Sequence, residues 1–553
     1  MVSKLPNECL QQIFRDIEDI NTLYSIIQVD HTWCENGIIY LWKNPFRNDV
    51  VNLKNQIKII PILLTFLKKG ENTLFDYPSL ITHLNLDNLF NIVSEFSRLN
   101  NNLFKTFLVL MEKDDSLSFI FRNIKFSEWS ELGQIWVINL LILVYIAKRK
   151  ASIRWFKIDN NYAYFESLDR MEIEDSYHHL DNGLDQYYNI TSKIEDIFKV
   201  FLRFDESKKF FENLEYLECG QLNNNNLSLD YLSKICRKLK TIRIEGDFRL
   251  IYKPLVSLNK FQKNLEILQI IGVKNNSGMW FYEKNIFEIF SSLEFISHSL
   301  KRFEISGIEM MTDETFEFLG NCKNLEILRL EDSNISHKNF EWIAKAELPK
   351  LHSLELISNW DGVDFMRQIN PIQGILKNKL ISSNLKKLYL RNKFLKNYDL
   401  LDAISENCRN LVHFSTQLTA NNDITTLFTI LENNSNLKEL YLNIYLDMHT
   451  VDISTEVIID LAKSLPESID TVQLELLINC VYYCRIFLEN CSVNLKYLYI
   501  IISIDNDAYD YMNYIERWSS ERGKKVKLSY RPTYTDFYDK IDVIWDENLT
   551  ILW

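Results

Sequence analysis

The sequence predicts an α/β fold: repeated strand–helix units stacked as a curved solenoid, with a parallel sheet on the concave face and helices outside, preceded by a small all-α module of three helices. Two observations carry this prediction. A six-residue apolar pattern recurs along the chain from residue 214, and the first 46 residues hold three apolar sets at helical spacing. At 553 residues the chain exceeds one ordinary globular core, which also favours several domains or a repeat array.

The N-terminal module begins with the run LPNECLQQIF at Leu5. Pro6 is tolerated where a helix starts, and Glu8 favours the positive end of the helix dipole. Leu10, Ile13 and Phe14 fall three and four residues apart on one stripe of this helix. Two further apolar sets predict a second and a third helix: Leu23, Ile26, Ile27 and Val29, then Trp33, Ile38, Leu41 and Trp42. So short a segment cannot bury all these side chains, so we expect a partner to cover some of them.

The repeated pattern is L-x-x-L-x-L, with Ile or Phe sometimes replacing Leu. Eleven copies start at residues 214, 239, 265, 300, 325, 351, 385, 411, 437, 469 and 495. Most starts are 25 or 26 residues apart. The fourth and sixth positions alternate inward from a short strand, and the helical stretch that follows covers the other side. Each unit is therefore stable only when its neighbours stack on it.

Residues Leu5 to Phe46 closely resemble the F-box, the module that docks the adaptor subunit of cullin-RING ubiquitin ligases. About nine positions agree with that family in type and order. The resemblance implies adaptor contacts from Leu5, Pro6, Leu10, Ile13, Phe14, Val29, Trp33, Leu41 and Trp42.

The repeats resemble leucine-rich repeats of the cysteine-containing subtype, which often follows an F-box. Cys236, Cys322 and Cys408 each lie three residues before the first Leu of a repeat, and Cys491 lies four before. We expect these thiols to be buried where each helix turns into the next strand.

Four domains are predicted: residues 1–48 as the F-box, 49–213 as linker helices and degenerate leucine-rich repeats, 214–505 as the solenoid, and 506–553 as a C-terminal capping segment. ITHLNL at Ile81 looks like an early repeat, and the 133 residues from there to Leu214 leave room for about five units. SIRWFKI near residue 152 and KKVKLSY near residue 524 are predicted strands. Ile135 to Ala147 is predicted as a buried helix because it is too short to span a membrane.

Composition and motif content argue against several classes of function. A net charge of -13 and a pI near 5.4 argue against nucleic-acid and anionic-membrane partners. Nine scattered cysteines and the lack of a secretory signal predict reduced thiols in a cytoplasmic or nuclear protein. No Gly-rich phosphate loop occurs, and Cys480 and Cys484 are more easily explained as core thiols than as metal ligands. We therefore expect no enzyme activity, no cofactor and no metal.

The fifth residue of each repeat should face solvent on the concave sheet. Glu304, Arg329 and Glu355 predict a cross-strand charge ladder, whereas the C-terminal half is aromatic. Three stretched intervals, starting at 265, 351 and 437, predict rim loops, two of which carry tryptophans. The predicted substrate-binding residues are Tyr389, His413, Tyr441, Tyr497 and Tyr499 on the sheet, with Trp280 and Trp360 in the loops. The strand propensity of Tyr and ordinary loop variation explain the same residues without binding.

The resemblance implies a non-enzymatic substrate receptor of an SCF-type ubiquitin ligase. Its partners would be the adaptor, through it a cullin, and a protein substrate of unknown identity. One alternative is a ligase-independent leucine-rich-repeat scaffold or inhibitor. Another is a sensor of a small molecule or inositol phosphate, which Arg243 and Arg329 disfavour because acidic residues alternate with them instead of further basic ones.

Overall fold

The computed structural model divides the chain into two compact units, Met1–Val273 and Lys274–Trp553. The residues it describes are 5–17, 19–47, 57–63, 75–100, 131–159, 201–202, 205–222, 227–246, 248–272, 286–310, 316–331, 333–358, 369–392, 398–418, 421–444, 455–476, 480–493, 495–503 and 525–531.

The first unit opens with the three predicted helices, which are confirmed: α1 (Asn7–Arg15), α2 (Ile20–Ile26) and α3 (His31–Trp42). Aspartates cap the second and third helices. The carboxylate of Asp19 accepts a hydrogen bond from the backbone N–H of Thr22 at 2.7 Å, and that of Asp30 accepts from Trp33 at 2.8 Å. We refer to residues 5–46 as the three-helix module.

The core of the module is small and tightly packed. Leu10, Phe14, Leu23 and Ile26 are buried in one cluster. Gly37 allows α3 to approach α2 closely, because a Cβ atom there would lie 3.0 Å from the Cγ2 of Ile27 and 3.2 Å from that of Ile26.

Five parallel strands follow in the first unit, each paired with the next along the chain. They are β1 (His83–Asn85), β2 (Trp155–Asp159), β3 (Tyr216–Leu222), β4 (Thr241–Gly246) and β5 (Ile267–Gly272). The helices of this region are α4 (Leu86–Leu99), α5 (Glu131–Lys148), α6 (Asp205–Phe211), α7 (Leu227–Ile235) and α8 (Phe248–Phe261).

The stretch from Ile81 to Leu214 is long enough for about five repeat units, and its described residues form fewer. The strands predicted at ITHLNL and SIRWFKI both form, as β1 and β2. β1 pairs directly with β2, and β2 pairs directly with β3, so no strand lies between these neighbours. Within the described residues of this stretch, β2 is therefore the one strand between β1 and β3.

The described residues of the second unit form nine parallel strands in one ladder and a separate pair. The ladder is β6 (Arg302–Ser306), β8 (Ile327–Glu331), β10 (Ser353–Ser358), β11 (Lys387–Asn392), β12 (His413–Leu418), β13 (Glu439–Ile444), β14 (Thr471–Leu476), β15 (Tyr497–Ser503) and β16 (Lys525–Arg531). The pair is β7 (Glu309–Met310) with β9 (Asn334–Ile335). The last strand, β16, confirms the prediction made from KKVKLSY.

Helices follow most of these strands, and consecutive helices pack on one another. They are α9 (Ile286–Ser292), α10 (His337–Lys345), α11 (Ile369–Lys377), α12 (Lys379–Ser382), α13 (Tyr398–Asn407), α14 (Asn421–Asn433), α15 (Thr455–Ser464) and α16 (Cys480–Asn490), with 3₁₀ turns at Leu293–Phe295 and Glu317–Asn321. The α/β strand–helix repeat predicted from the sequence, a leucine-rich-repeat fold, is confirmed.

All eleven predicted strands form, each beginning two residues after the start of its motif. In the first ten of these repeats, whose side chains the structure describes at these positions, the fourth and sixth residues are buried as predicted. In β8, for example, Leu328 and Leu330 are buried while Ile327, Arg329 and Glu331 remain partly exposed. This alternation fixes which side of each strand faces the helices.

A repeated backbone hydrogen bond sets the register between strands. The carbonyl of the second motif residue accepts two hydrogen bonds, from the second and third N–H groups of the next repeat. Lys386 O, for example, accepts from Val412 N at 2.7 Å and His413 N at 2.9 Å. The same pair of bonds recurs from Arg154 O to Lys240 O in the first unit and from Lys301 O to Asp470 O in the second. Equivalent residues of neighbouring units are thereby aligned.

The four predicted corner cysteines are buried. Cys236 Sγ lies 3.7 Å from the carbonyl of Phe211 and Cys322 Sγ lies 3.6 Å from that of Phe318. Burial raises the pKa of Cys236, Cys322 and Cys408 to about 12, so these thiols are unreactive packing groups near neutral pH.

Buried amide side chains connect consecutive repeats at the same corners. Asn434 Oδ1 accepts from the backbone N–H of Leu411 at 2.8 Å, while its Nδ2 donates to the carbonyls of Cys408 and Ile430. Gln262 makes the equivalent bonds, accepting from Leu239 N at 3.0 Å and donating to Cys236 O at 2.9 Å. Sequence reasoning missed both residues.

The apolar run Ile135 to Ala147 is the buried helix that was predicted, as part of α5. Asn139 inside it donates its side-chain N–H to the carbonyl of Ile135 at 2.9 Å. No helix in the described part of the chain combines the length and apolar character that crossing a bilayer requires.

We expect the Asn434 amide to contribute measurably to stability. Replacing Asn434 by Ala leaves the buried N–H of Leu411 and the carbonyl of Cys408 without these partners, which should lower the free energy of unfolding by about 3 kcal/mol. The exposed neighbour Asn433 supplies the control, and Asn433→Ala should change it by less than about 0.5 kcal/mol. Urea denaturation of both variants measures the difference, and equal effects would contradict the role assigned to Asn434.

Candidate functional site

The three-helix module exposes part of its predicted adaptor surface. Leu5 is 50% exposed, Ile13 46% and Val29 60%, and Pro6 is exposed beside Leu5. These four side chains are free to meet a partner in this conformation. Large apolar side chains that stay in water at such fractions, in so small a module, suit a protein interface.

The other predicted adaptor contacts lie deeper. Leu10, Phe14 and Trp42 are buried, and Trp33 and Leu41 are half-buried against the core cluster. The ring of Trp33 lies 5.4 Å from that of Phe14, and Trp42 stacks on Tyr77 at 4.6 Å. Burial assigns Leu10, Phe14 and Trp42 a packing role within the chain. Their predicted contact with an adaptor stays a prediction.

Three further exposed apolar side chains of the module were not singled out from the sequence: Ile20, Tyr24 and Ile39. Their exposure follows from the core stripe of each helix. Leu23 and Ile26 face inward on α2, and Ile38 faces inward on α3. Apolar residues on the other faces of these two helices therefore point outward. The amphipathic pattern identified the stripe but not the apolar residues left outside it.

In the second unit, the fifth motif positions form one continuous row across the sheet. Tyr389 aligns with Ser415, Ser415 with Tyr441, Tyr441 with Gln473, and Gln473 with Tyr499. We call these five residues the tyrosine row. The predicted neighbours His413 and Tyr497 lie two residues before row positions on β12 and β15, and therefore on the same face.

Two tyrosines of the row lean together. Tyr389 and Tyr441 are two strands apart, which separates their Cα atoms by about 9.6 Å. Their ring centroids are nevertheless only 5.7 Å apart, and Ser415 between them is 8% exposed. The rings therefore close over Ser415. Lys387 Nζ lies 4.6 Å from the centroid of the Tyr389 ring and adds a cation–π contact.

Carboxylates surround these rings. Glu355 is 6% exposed, with its oxygens 2.8 Å from Lys387 Nζ and 3.6 Å from Arg329 Nη1. Glu439 Oε2 lies 2.9 Å from His413 Nδ1. Burial is the main cause that raises the pKa of Tyr389 and Tyr441 far above the usual range, so both phenols are neutral at physiological pH. For Tyr389 the neighbouring Tyr441 adds to this effect, followed by the charge of Glu439, and for Tyr441 the charge of Glu439 comes next after burial.

The predicted charge ladder is present in register, with Glu304 aligned to Arg329 and Arg329 to Glu355. Its contacts run along strands as well as across them. Arg329 Nη2 lies 2.7 Å from Glu331 Oε2 on the same strand, and Arg302 pairs with Glu304 two residues on. These pairs hold the charges in place on the sheet.

The first unit holds an aromatic stack that sequence reasoning missed. The rings of His83, Trp155 and Tyr216 stack across β1, β2 and β3, with centroids 6.1 and 5.2 Å apart. Tyr216 donates its hydroxyl to Glu218 at 2.8 Å, and Lys157 Nζ lies 2.8 Å from the same carboxylate. All three rings occupy the third motif position, so extending the fifth-position comparison to the third would have found them.

Trp280 and Trp360, and the rim loops predicted around them, lie outside the described residues. The sequence also predicts helices from Leu103 to Met111 and from Ile194 to Phe201, and an exposed acidic insertion from Tyr164 to Tyr188. Apart from Phe201, these residues lie outside the described part of the chain, as does most of the predicted C-terminal capping segment. Cys480 and Cys484 lie on α16 as predicted. Among the side chains that the structure describes, no group of His, Cys, Asp or Glu has the geometry of a metal site.

No family model matches the chain. No curated protein matches it either. Among solved structures, a chain from the crystal structure of the Rad7 and Elc1 complex in yeast is similar, at 13% identity over 82% of this chain and 96% of that chain, with a TM-score of 0.37. The repeat fold described above rests on the registers and burial of this chain's own strands.

We expect two tyrosines on this face to differ in their effect on stability. Tyr389→Ala removes a ring packed between Tyr441 and Lys387, and should lower the free energy of unfolding by about 2 kcal/mol. Tyr497 is 43% exposed, so Tyr497→Ala should change it by less than about 0.5 kcal/mol. Denaturant titration of the two variants tests this, and equal losses would show that the rings are not packed as described.

The stacked His83 should make the protein less stable in acid. Burial, together with the positive charges of Lys43 and Arg154, lowers the pKa of His83 from 6.5 to about 4. The unfolded chain therefore binds a proton near pH 6.5 that the folded chain does not bind until about pH 4, so stability is lost as the pH falls through this window.

The matched variants are His83→Gln and His298→Gln, the second at an exposed position. The melting temperature of each variant is measured between pH 7 and pH 4.5. It should fall less on acidification for His83→Gln than for wild type. His298→Gln should melt as wild type does at every pH. If the melting temperature of His83→Gln falls as much as that of wild type, His83 is not the cause of the acid sensitivity.

Proposed function

We propose that this protein is a substrate receptor of an SCF-type ubiquitin ligase. The three-helix module docks the ligase adaptor, and through it a cullin, while the concave sheet binds the protein to be ubiquitinated. The protein itself performs no catalysis. The proposal combines the resemblance of residues 5–46 to the F-box with the surface that these helices present.

The observation that carries the proposal is the exposed apolar surface of the module. Its helices bury only a small cluster, leaving Leu5, Ile13 and Val29 about half in water or more. Burying a large apolar side chain gains about 1.5–3 kcal/mol, so this surface favours association with a complementary partner. Leu5, Pro6, Ile13 and Val29 are all positions at which the F-box resemblance implies adaptor contact.

The sheet supplies a second surface suited to a protein target. Its strands carry half-buried tyrosines next to charges that are already paired within the chain. Aromatic rings bury large areas at low entropic cost, and paired charges lose less on desolvation than isolated ones. A target bound there would be tethered to the ligase.

Tethering is the whole mechanism. Holding adaptor and target on one chain converts an encounter between the target's lysines and the charged conjugating enzyme into an intramolecular event. Two separable surfaces are needed for this, and the module and the tyrosine row share no residue.

Adaptor binding tests the proposal directly. Leu5→Ala with Pro6→Ala should weaken binding to purified SCF adaptor by more than tenfold, or about 1.4 kcal/mol, because apolar anchors dominate such interfaces. Both residues are exposed, so the double variant should melt as wild type does. Leu380→Ala, which removes a similarly exposed leucine in the second unit, should bind the adaptor normally. Isothermal titration calorimetry measures all three.

Two results would count against the ligase. If the wild-type chain does not bind the adaptor, the protein is a ligase-independent scaffold or inhibitor. If adaptor binding survives both the double change and deletion of residues 1–46, the module is not the docking site.

A further inference from the structure

The second residue of each repeat lies at the corner where a helix turns into the next strand, and in the second unit several of these residues pair with their neighbours. His352 Nε2 lies 4.0 Å from Glu326 Oε2 in the repeat before it. Lys496 Nζ lies 3.0 Å from Asp470 Oδ2 in the same way. Side chains at the second position of adjacent repeats therefore project to the same side and meet there.

Between these two pairs, the second positions carry no acidic residue. They run from Lys386 through Val412 to Lys438, because Val412 N donates to Lys386 O at 2.7 Å and Lys438 N donates to Val412 O at 2.8 Å. Arg409 lies three residues before Val412 and is exposed, as both lysines are. We call Lys386, Arg409 and Lys438 the basic patch. Among the described residues, none forms an ion pair or hydrogen bond with the charged groups of these three side chains.

Carboxylates near the basic patch do not neutralise it through contact. Asp470 is the next second-position residue after Lys438, but its ion-pair partner is Lys496. Glu406 and Glu432 are exposed on α13 and α14, and neither pairs with a cation of the patch. The carboxylates of β10 and β13 that face the tyrosines are paired within the sheet, as described above. The three cations therefore face solvent.

The helix dipole explains one of the three cations. Arg409 follows the end of α13 by two residues, where positive charge is favourable without a ligand. Lys386 and Lys438 instead directly precede β11 and β13. Lys386 also belongs to a segment, residues 365–398, that contains eight Lys and Arg and no Asp or Glu. This positive charge is a local feature of a chain whose net charge is -13.

The basic patch borders the tyrosine row. Lys386 lies three residues before Tyr389, and Lys438 lies three before Tyr441, a separation of about 10 Å along an extended strand. A partner that covers the tyrosine row therefore reaches the patch. The Cα atoms of the two lysines, two strands apart, are separated by about 9.6 Å. Carboxylates two or three residues apart in an extended segment span about 7 to 10 Å, which matches this separation.

We propose that the basic patch binds an acidic segment of the target protein, whose carboxylates pair with Lys386, Arg409 and Lys438. Hydrogen bonds between ionised groups are stronger than neutral ones, and Arg409 can hold a carboxylate through two N–H groups. The net charge of -13 does not prevent this, because charges farther than about 8 Å are screened at physiological ionic strength. It does favour a short acidic segment over a long polyanion such as a nucleic acid.

This inference deepens the proposed function and rests on it for the partner's role as a target. Binding of an acidic segment at the patch does not depend on the adaptor, so the two proposals can fail separately.

The test uses the full-length protein and a fluorescein-labelled peptide of six glutamates as the probe, with binding followed by fluorescence anisotropy. The matched probe is the same peptide with six glutamines, which keeps the length and loses the charge. We expect the glutamine peptide to bind at least fivefold more weakly. Raising the NaCl concentration from about 50 to about 500 mM should weaken binding of the glutamate peptide at least fivefold, because salt screens exposed ion pairs.

Charge reversal locates the site. Lys386→Glu and Lys438→Glu each replace one cation of the patch by an anion and should weaken binding of the glutamate peptide at least fivefold. Both side chains are exposed, so the melting temperature should stay within a few degrees of wild type. Lys338→Glu makes the same change in net charge at an exposed position in the first turn of α10, and should bind the peptide as wild type does. If one patch variant does not fold, the other provides the test.

Absent binding of the glutamate peptide, or equal binding of the two peptides, would overturn the proposal. So would wild-type binding in the folded patch variants. If labelled hexathymidylate binds as tightly as the glutamate peptide, the patch recognises polyanions in general and the assignment to an acidic protein segment is wrong. A chain that binds the glutamate peptide but not the adaptor keeps the patch and loses the proposed function, and the reverse result loses only the patch.

Discussion

The structure depends on one repeated constraint, the pair of backbone hydrogen bonds that links a strand to the repeat before it. A single carbonyl, such as Lys386 O, accepts from two successive N–H groups of the following repeat, and most neighbouring repeats are joined by the same pair of bonds. This pair of bonds fixes the register between strands. The apolar residues at the fourth and sixth positions determine which side of each strand packs against the helices. A slip of one residue would break these bonds and expose the leucines together, so neither feature can change alone.

Fixed register turns equivalent positions into rows, and the outward rows form the solvent-facing surface of the sheet. The inward rows are nearly uniform because they must pack, whereas the outward rows vary freely. Along the fifth position the chemistry changes from alternating Glu and Arg to tyrosine within a few strands. In the charged part, Arg329 pairs with Glu331 and Glu355, and in the aromatic part Glu439 pairs with His413 beside Tyr441. The chemistry of the sheet surface therefore changes along the row without any change in fold.

The three-helix module follows a different rule, because its limit is size. Helices of 9, 7 and 12 residues enclose a core of Leu10, Phe14, Leu23 and Ile26, and cannot enclose much more. The remaining apolar side chains divide between half-buried positions, such as Trp33, and positions in water, such as Val29. The same shortage of interior that limits the module's stability leaves it with exposed apolar surface.

The sequence by itself determined the strands, their facing and the buried cysteines, because each depends on spacing within one unit. Apolar residues that alternate along a short segment predict a strand, and the same alternation predicted β1, β2 and β16 outside the eleven motifs. The sequence did not determine the number of strands between β1 and β3, because the length of a segment does not show how many of its residues form strands of the sheet. The amide contacts of Asn434, the closure of Tyr389 and Tyr441 over Ser415, and the stack of Trp155 on Tyr216 were decided by tertiary structure alone. Each joins residues that lie 23 to 61 positions apart in sequence and meet only when stacking brings successive strands side by side, about 4.8 Å apart.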